Sequence, residues 1–255
     1  MNKLSRGLIG LLGFLVVWEA FSRSGFVPQK YFPPPSTVLL RLGELLTQAD
    51  FLLELVATVL AWAIALGISI AIAVPAGLLL GSVRQVRTAS RVIIEFLRPV
   101  PSVALIPLAL VAVGSGPETK IALAVYAAVW PILFNTIYAL DEIDPVMVET
   151  ARSFGFSRVR TMFTVALPHS APFVLTGIRL SAAVALILVV STEYLAGGGV
   201  GLGNFALNAS TGAGRMDLVL AGTVVAGLIG YLINEILEQV HKRGLRWSAV
   251  DREAA

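Results

Sequence analysis

The feature that most constrains this chain is a series of long apolar runs. A helix needs roughly 20 mostly apolar residues to cross about 30 Å of hydrocarbon. Six segments meet or approach that length: Leu4–Phe21, Leu52–Leu80, Val92–Val113, Ile121–Leu140, Phe173–Ala196 and Leu218–Val240. Only 14% of the residues are charged, against about a quarter in soluble domains. The pattern predicts an all-α integral membrane protein with about six transmembrane helices.

The first and third segments are the weakest of these predictions. The first follows Lys3 and Arg6, so a cleaved signal peptide is the alternative. Trp18 and Glu19 stand where small cleavage-site residues would be expected, which favours a retained helix. The third segment contains three prolines: Pro99, Pro101 and Pro107. Prolines should bend that helix and free backbone carbonyls.

Basic residues are distributed unevenly between the two sides of the bilayer. If the amino terminus is cytoplasmic, most lysines and arginines fall on inner loops and helix ends. The outer side then holds only Arg23, Lys30, Arg41, Lys120 and Arg215. This asymmetry is the positive-inside pattern, so both termini should be cytoplasmic. It also accounts for the net charge of +3 without nucleic-acid binding.

The residue inventory excludes several chemistries. The chain has no cysteine and two histidines, so disulfides, thiol catalysis and an imidazole metal site are excluded. It contains no GxSxG or HExxH pattern, and no Gly-Lys dipeptide of a phosphate-binding Walker A loop. We therefore expect no catalytic residue, cofactor or metal in this chain, and an intramembrane enzyme is disfavoured.

A secondary transporter driven by an ion gradient is a further alternative. Such proteins usually carry paired ionisable residues near the bilayer centre. The candidates here lie towards the ends of the spans: Glu95, Arg98, Arg179 and Glu193. Their positions disfavour this class.

Three regions are expected along the chain. Residues 1–50 form the first helix and an outer segment, residues 51–245 the transmembrane core, and residues 246–255 a cytoplasmic tail. In the outer segment Ser36 is a reasonable N-cap for an amphipathic helix, which either lies on the membrane surface or packs on the bundle. Farther on, the glycine-rich run at 197–204 is expected to form a re-entrant or hinge-like loop at the mouth of a pathway.

One loop, at 141–170, is too charged to span the membrane and lies on the inner side. Asp144 is an N-cap followed by proline at the first helical position. Gly155 supplies a left-handed C-cap. Ser157 can cap a second helix, which Pro168 should end. The sequence therefore predicts a compact helix–glycine–helix projection with more apolar residues than an idle loop needs: Val146, Met147, Ala151, Phe154, Val159, Met162 and Phe163.

This loop resembles the EAA loop of ABC importer permeases. The family pattern is Glu-Ala-Ala, three residues, Gly, nine residues, an Ile-like residue, any residue, then Leu-Pro. The chain matches every spacing with Glu149, Ala151, Gly155, Leu167 and Pro168, and departs only mildly with Thr150 and Val165. The resemblance implies that these five matched residues couple the chain to an ATPase, with the first helix docking into a groove on it.

The resemblance extends from about Phe32 to Arg246 and favours the nitrate, sulfonate and taurine branch. The segments that carry it outside the loop are 34–39, 97–101, 104–107, 131–136 and 177–180. It implies the type I importer fold: two permease copies, two cytoplasmic ATPases that bind ATP and Mg, and a separate extracytoplasmic binding protein, in the bacterial cytoplasmic membrane. A sulfonate, taurine or nitrate-like solute is favoured, and a neutral heterocycle such as a vitamin precursor is the alternative.

Polar residues within the spans are the candidates for lining a pathway. They are Ser102, Asn135, Thr136, Ser191 and Glu193. A carboxylate at the depth of Glu193 should face the bundle interior, a protein group or water. The alternative is that Glu193 pairs with a loop donor or lies in interfacial water. For an anionic solute we expect it to be gating or structural.

Overall fold

The computed structural model describes residues 3–197, 199–212 and 214–244, so the predicted tail at 246–255 lies outside the described residues. Eleven α-helices occur in the described ranges: α1 Lys3–Arg23, α2 Pro35–Leu45, α3 Ala49–Ser82, α4 Arg84–Leu97, α5 Ile106–Val113, α6 Pro117–Asp141, α7 Pro145–Ser153, α8 Arg158–Thr161, α9 Leu167–Ala196, α10 Leu202–Gly212 and α11 Met216–Gly244. The end with α7 and α8 is called the inner end, after the predicted orientation.

The predicted spans are present, with one of them broken. Five helices are long and apolar enough to cross a membrane: Ser5–Arg23, Ala49–Ser82, Pro117–Asp141, Arg158–Ala196 and Met216–Arg243. The sixth consists of two helical pieces, Gln85–Leu97 and Ser102–Val113, with a bend of 75° between them. The break lies at the predicted proline cluster, and the carbonyl of Leu97 accepts a hydrogen bond from the Tyr126 hydroxyl at 2.9 Å. The same carbonyl accepts a backbone bond from the N–H of Val100 at 3.2 Å, so the tyrosine adds a side-chain donor at the break.

Small residues form the core between α3, α6 and α9. The central buried cluster is rich in alanine: Ala61, Ala65, Ala124, Ala127, Ala128 and Ala185. On α3, a Cβ on Gly77 would lie 2.6 Å from Cβ of Thr136, and one on Gly81 would lie 2.5 Å from Cδ1 of Leu140. The two glycines therefore let α3 and α6 approach closely, as small-residue interfaces do in lipid.

The helix α2 packs on the bundle with one face. Val38 and Leu45 are buried in a cluster with Ala221 and Val225 of α11. Arg41 reinforces this contact through an ion pair with Asp217, with 3.0 Å between Nε and Oδ2. Of the two expectations for this segment, the structure supports packing on the bundle.

Ser36 is not the N-cap of α2, contrary to the sequence expectation. The helix begins at Pro35, two residues earlier than a Ser36 cap requires, and its N-cap residue, Pro34, makes no side-chain capping bond. Ser36 instead donates its hydroxyl to Glu19 at 2.8 Å, and its backbone N–H bonds the same carboxylate at 3.1 Å. This bond to a neighbouring helix replaces the local cap and ties α2 to α1.

Pro168 does not end the second helix of the inner loop, although the sequence predicts that it should. A π-helical turn at Met162–Ala166 precedes α9, and the N–H of Leu167 bonds the carbonyl of Met162. The wider turn shifts the hydrogen-bond pattern by one residue, so the helix continues past a proline that lacks an N–H. A single helix from Arg158 to Ala196 results. The inner loop is thus built directly onto a membrane span.

Candidate coupling loop and pathway

The inner loop has the predicted capped geometry. The carboxylate of Asp144 accepts a hydrogen bond from the N–H of Val146 at 2.9 Å, with Pro145 at the first position of α7. At the other end of α7, Gly155 has φ of +77°. The hydroxyl of Ser157 accepts from the N–H of Arg160 at 3.3 Å and so caps α8.

Two backbone bonds close the turn at Gly155. Its N–H donates to the carbonyl of Arg152 at 2.8 Å, and the N–H of Phe156 donates to the carbonyl of Ala151 at 3.0 Å. This pair of bonds is a Schellman motif, which needs a left-handed residue at the glycine position. The turn between the two helices is therefore rigidly specified by sequence.

The five predicted coupling residues occupy different environments. Glu149, Gly155 and Pro168 are exposed, Leu167 is half-buried, and Ala151 is buried. The side chain of Ala151 therefore packs inside the loop. Around the exposed members lies what we call the apolar docking surface, whose large side chains are 46–77% exposed: Val146, Met147, Phe154, Val159 and Phe163. Large apolar side chains exposed together on one loop are typical of an interaction site.

The opposite end of the bundle contains a buried polar cluster centred on Glu193. Its side chain is only 2% exposed, and its carboxylate lies 2.6 Å from Nζ of Lys120. It also accepts from the hydroxyl of Thr58 at 2.8 Å and from the N–H of Gly203 at 3.1 Å. Glu193 thus faces the bundle interior as expected, and it is paired with both a loop donor and a lysine.

These contacts hold the glycine-rich loop against the helices. Lys120 donates to the carbonyl of Val200 at 2.8 Å, and the N–H of Leu202 donates to the hydroxyl of Thr58 at 2.8 Å. The N–H of Gly201 bonds the carboxylate of Glu54. A Cβ on Gly203 would lie 2.1 Å from the carbonyl oxygen of Val190. The chain can approach α9 this closely at position 203 only because glycine has no side chain.

Lys120 was not predicted to be the partner of Glu193. Its sequence position indicates only an outer-side cation, because sequence spacing does not reveal that α6 and α9 pack together. One signal was present: a lysine at the start of an apolar span is costly unless it is paired. Lys120 and Glu193 both line an outer cavity of about 530 Å³, whose charges are therefore balanced.

The predicted pathway residues do not share a cavity among those described. Ser191 lines a separate space of about 460 Å³ between α9 and α11. The amide of Asn135 bonds the carbonyl of Pro131, and buried Thr136 bonds the carbonyl of Ile132, both at 2.8 Å. Ser102 is half-buried at the break between α4 and α5. A pathway role for these residues stays a prediction.

An inner cavity of about 730 Å³ lies between α3, α4 and α6. Its charged lining residues are two arginines and one acidic residue, Glu95. Arg87 makes a two-pronged ion pair with Asp141, at 2.7 and 2.6 Å. The guanidinium of Arg98 lies 4.4 Å from the centre of the Phe134 ring. The sequence indicates Arg98 as an inner-side charge and as an ionisable residue near a span end, and it indicates no partner.

Within the described ranges, the chain is a bundle of apolar helices long enough to cross a membrane, with one bent span, as in a multi-pass membrane protein. Residues 64–243 match the family model described as "Binding-protein-dependent transport system inner membrane component". The chain belongs to this family, and the predicted kinship with ABC importer permeases is confirmed.

Two named permease proteins are similar in sequence to this chain over most of its length. The taurine transport system permease protein TauC of Escherichia coli is 29% identical over 249 residues, 96% of this chain and 89% of TauC. The bicarbonate transport system permease protein CmpB of Synechococcus elongatus is 28% identical over 247 residues, 94% of this chain and 88% of CmpB. The fold resembles an inward-facing structure of the MetNI methionine ABC transporter, with a TM-score of 0.67 and 19% identity, over 77% of this chain and 99% of that one.

Proposed function

We propose that this chain forms the translocation pathway of an ATP-driven importer for a small anion of the taurine, sulfonate, nitrate or bicarbonate kind. Family membership supports the importer role. The names of the relatives, which transport taurine and bicarbonate, support the solute class. An extracytoplasmic binding protein delivers the solute, as the family description implies.

The apolar docking surface is the observation that carries the ATPase assignment. Phe154 and Val159 are 77% and 67% exposed on a loop whose geometry is fixed by caps at both helices. An amphipathic helix presented in this way suits docking into a groove on a partner. The partner is a cytoplasmic ABC ATPase, which binds ATP and Mg and supplies the energy that this chain has no motif to harvest.

Coupling follows from the continuity of α8 with α9. Because one helix runs from Arg158 to Ala196, a displacement of the loop at the inner end is transmitted along the whole span. Nucleotide-driven closure of the ATPases moves the loop, and the spans rock between inward-open and outward-open arrangements. Ligands bias these states only through their different affinities for them.

The assembly contains two copies of this chain and two ATPase subunits. The spans are exposed on broad apolar faces in the single chain, which leaves surface for lipid and for a second permease copy. The protein lies in the bacterial cytoplasmic membrane with both termini cytoplasmic, since the basic residues concentrate on that side. No nucleic-acid partner is involved.

The test is uptake by proteoliposomes that contain the chain with its cognate ATPase and binding protein. Accumulation of radiolabelled taurine, nitrate or bicarbonate should depend on ATP inside the vesicles and on the binding protein outside. Accumulation of a labelled pyrimidine vitamin precursor, with none of the anions, would reject the proposed solute class. Uptake driven by an ion gradient without ATP would reject the importer mechanism.

A further inference from the structure

Arg98 stands at an unusual place in the membrane-spanning part of the chain. It directly follows α4, where the third span breaks and turns by 75°. A broken span is tolerated at membrane depth where it is buried in protein or lines a water-filled cavity. Arg98 lines the inner cavity of about 730 Å³, and so does Glu95, which makes an interaction of its own. An arginine in a span is likewise expected to face such a cavity or a partner group.

The guanidinium of Arg98 differs from those of Arg87 and Arg179, whereas Arg160 of the inner loop likewise lies over a ring, that of Phe156, at 4.0 Å. Arg87 is neutralised by Asp141, and Arg179 bonds both Asn234 and Glu238. Among the described residues, Arg98 forms no ion pair, and its one specific contact is the face of Phe134. Its five donors are therefore directed to no carboxylate of this part of the chain.

Aromatic residues on α6 hold this region in place. Tyr126, Trp130, Phe134 and Tyr138 follow one another at intervals of one helical turn, with successive ring centres 5.9, 6.4 and 6.1 Å apart. The first of them anchors the carbonyl of Leu97 beside Arg98, and the third carries the guanidinium. Stacking on a ring orients the planar fork and leaves its N–H groups available.

The structure assigns a function to this arrangement: we propose that Arg98 binds the transported oxyanion in the inner cavity through charge-assisted hydrogen bonds from its guanidinium. The ligand class is a small oxyanion, such as a sulfonate, bicarbonate or nitrate, whose oxygens match the guanidinium fork. This inference rests on the proposed anion import. The outer cavity, where Lys120 is paired with Glu193, offers an anion no comparable free cation.

The experiment is an anion titration of the full-length chain in nanodiscs of phosphatidylcholine, with Tm as the readout. Taurine, nitrate and bicarbonate are added at constant ionic strength maintained with gluconate. The variants are Arg98→Gln, Arg98→Lys and Phe134→Leu. The matched control is Arg87→Gln, which alters an arginine of the same cavity that is already paired. A second series in nanodiscs with phosphatidylglycerol distinguishes a solute anion from a lipid phosphate.

Each of the three anions should raise the Tm of the native chain in phosphatidylcholine. Arg98→Gln should raise the half-saturating anion concentration about tenfold or more, the effect of losing charged hydrogen bonds. Arg98→Lys keeps the charge and loses the planar fork, so its half-saturating anion concentration should lie between those of the native chain and of Arg98→Gln. Arg87→Gln should match the native chain. If Arg98→Gln does not fold, Arg98→Lys and Phe134→Leu carry the comparison.

Two results would overturn the site. One is an unchanged titration in both Arg98 variants. The other is a response to phosphatidylglycerol alone, which would make Arg98 a lipid anchor. Failure of the proposed function looks different: the assembled native importer then takes up none of the anions with ATP. If native uptake succeeds and the Arg98 titration does not change, only this inference is wrong.

Discussion

The two ends of the bundle are built on opposite principles. At the outer end, the buried carboxylate of Glu193 is satisfied within the chain, by Lys120, Thr58 and the N–H of Gly203. At the inner end, large apolar side chains such as Phe154 and Val159 stand exposed on a rigid loop. The polar contacts of the outer end thus lie within the chain, whereas the apolar side chains of the inner end are left for a partner to cover.

The two ends should therefore respond differently to substitution. Removing a member of the outer cluster leaves a buried charge unpaired or forces backbone atoms apart, so it should destabilise the folded chain. Changing the inner loop removes little internal packing and should reach function mainly through the partner. Substitutions at the two ends test this contrast.

The largest effect is expected for Lys120→Met. It leaves the carboxylate of Glu193 buried without its cation, and breaking such a pair destabilises proteins by about 3–5 kcal/mol. Thermal unfolding of the purified chain in detergent should show a marked fall in Tm. The double variant Lys120→Met/Glu193→Gln removes both charges and should recover part of the loss. A Tm unchanged by Lys120→Met would contradict a structural pair.

Gly203→Ala should have the next largest effect. The added Cβ would lie 2.1 Å from the carbonyl oxygen of Val190 and 2.7 Å from the N of Tyr194. Both are backbone atoms, so relief requires helix movement, at a cost of about 1–3 kcal/mol. Gly199→Ala is the matched control, since its nearest neighbour, the carbonyl oxygen of Ser115, is 3.8 Å away. Equal Tm values for the two variants would refute the close packing of this loop.

Gly155→Val should affect coupling more than folding. No atom lies within 4 Å of an added Cβ, so the strain comes only from φ of +77°. A left-handed conformation costs an ordinary residue about 1–2 kcal/mol, or a factor of about 5 to 30 in the population of the capped turn. ATP-driven uptake should fall by a similar factor while membrane insertion is retained. Gly155→Asn tolerates this conformation and should keep most of the activity; equal uptake in both variants and the native chain would contradict the role of the turn.

Single cysteines test the orientation with the smallest disturbance. The native chain has no cysteine, so there is no background labelling. Cysteine at Ser157 loses one cap, which costs about 1 kcal/mol, and should react with an impermeant thiol reagent only from the cytoplasm. Cysteine at exposed Thr211 or Ser115 should react only from outside. Labelling of position 157 in intact cells would reverse the assignment of the two ends.

The sequence predicted correctly those features that depend mainly on neighbouring residues, namely the spans and the helix caps of the inner loop. The apolar runs gave the spans, and the Asp144, Gly155 and Ser157 signals gave the caps, because each depends on neighbouring residues. Ser36 was wrong as a cap because Glu19, on another helix, binds its hydroxyl. Pro168 was wrong as a helix end because a π-helical turn absorbs the proline.

The polar site could be predicted only in part, since its partners come together through packing. The burial cost of Glu193 was readable from its depth in a span, but its pairing with Lys120 requires α6 to lie beside α9. The contact of Arg98 with Phe134 likewise joins two helices across a break in the chain. Periodicity fixes which residues share a helix face and does not fix which helices meet.

Photo-crosslinking from the two ends of the assembled transporter tests most directly whether the inner loop couples the chain to the ATPase. A photoreactive amino acid replaces Phe154 on the inner loop or, as the matched control, Phe26 near the outer end, which are 77% and 84% exposed. Phe154 should cross-link to the ATPase with a yield that changes with nucleotide, and Glu149→Lys should reduce both this yield and ATP-driven uptake. Phe26 should give no ATPase adduct. Cross-linking to the ATPase from position 26, or full uptake by Glu149→Lys with no adduct at position 154, would contradict coupling through the inner loop.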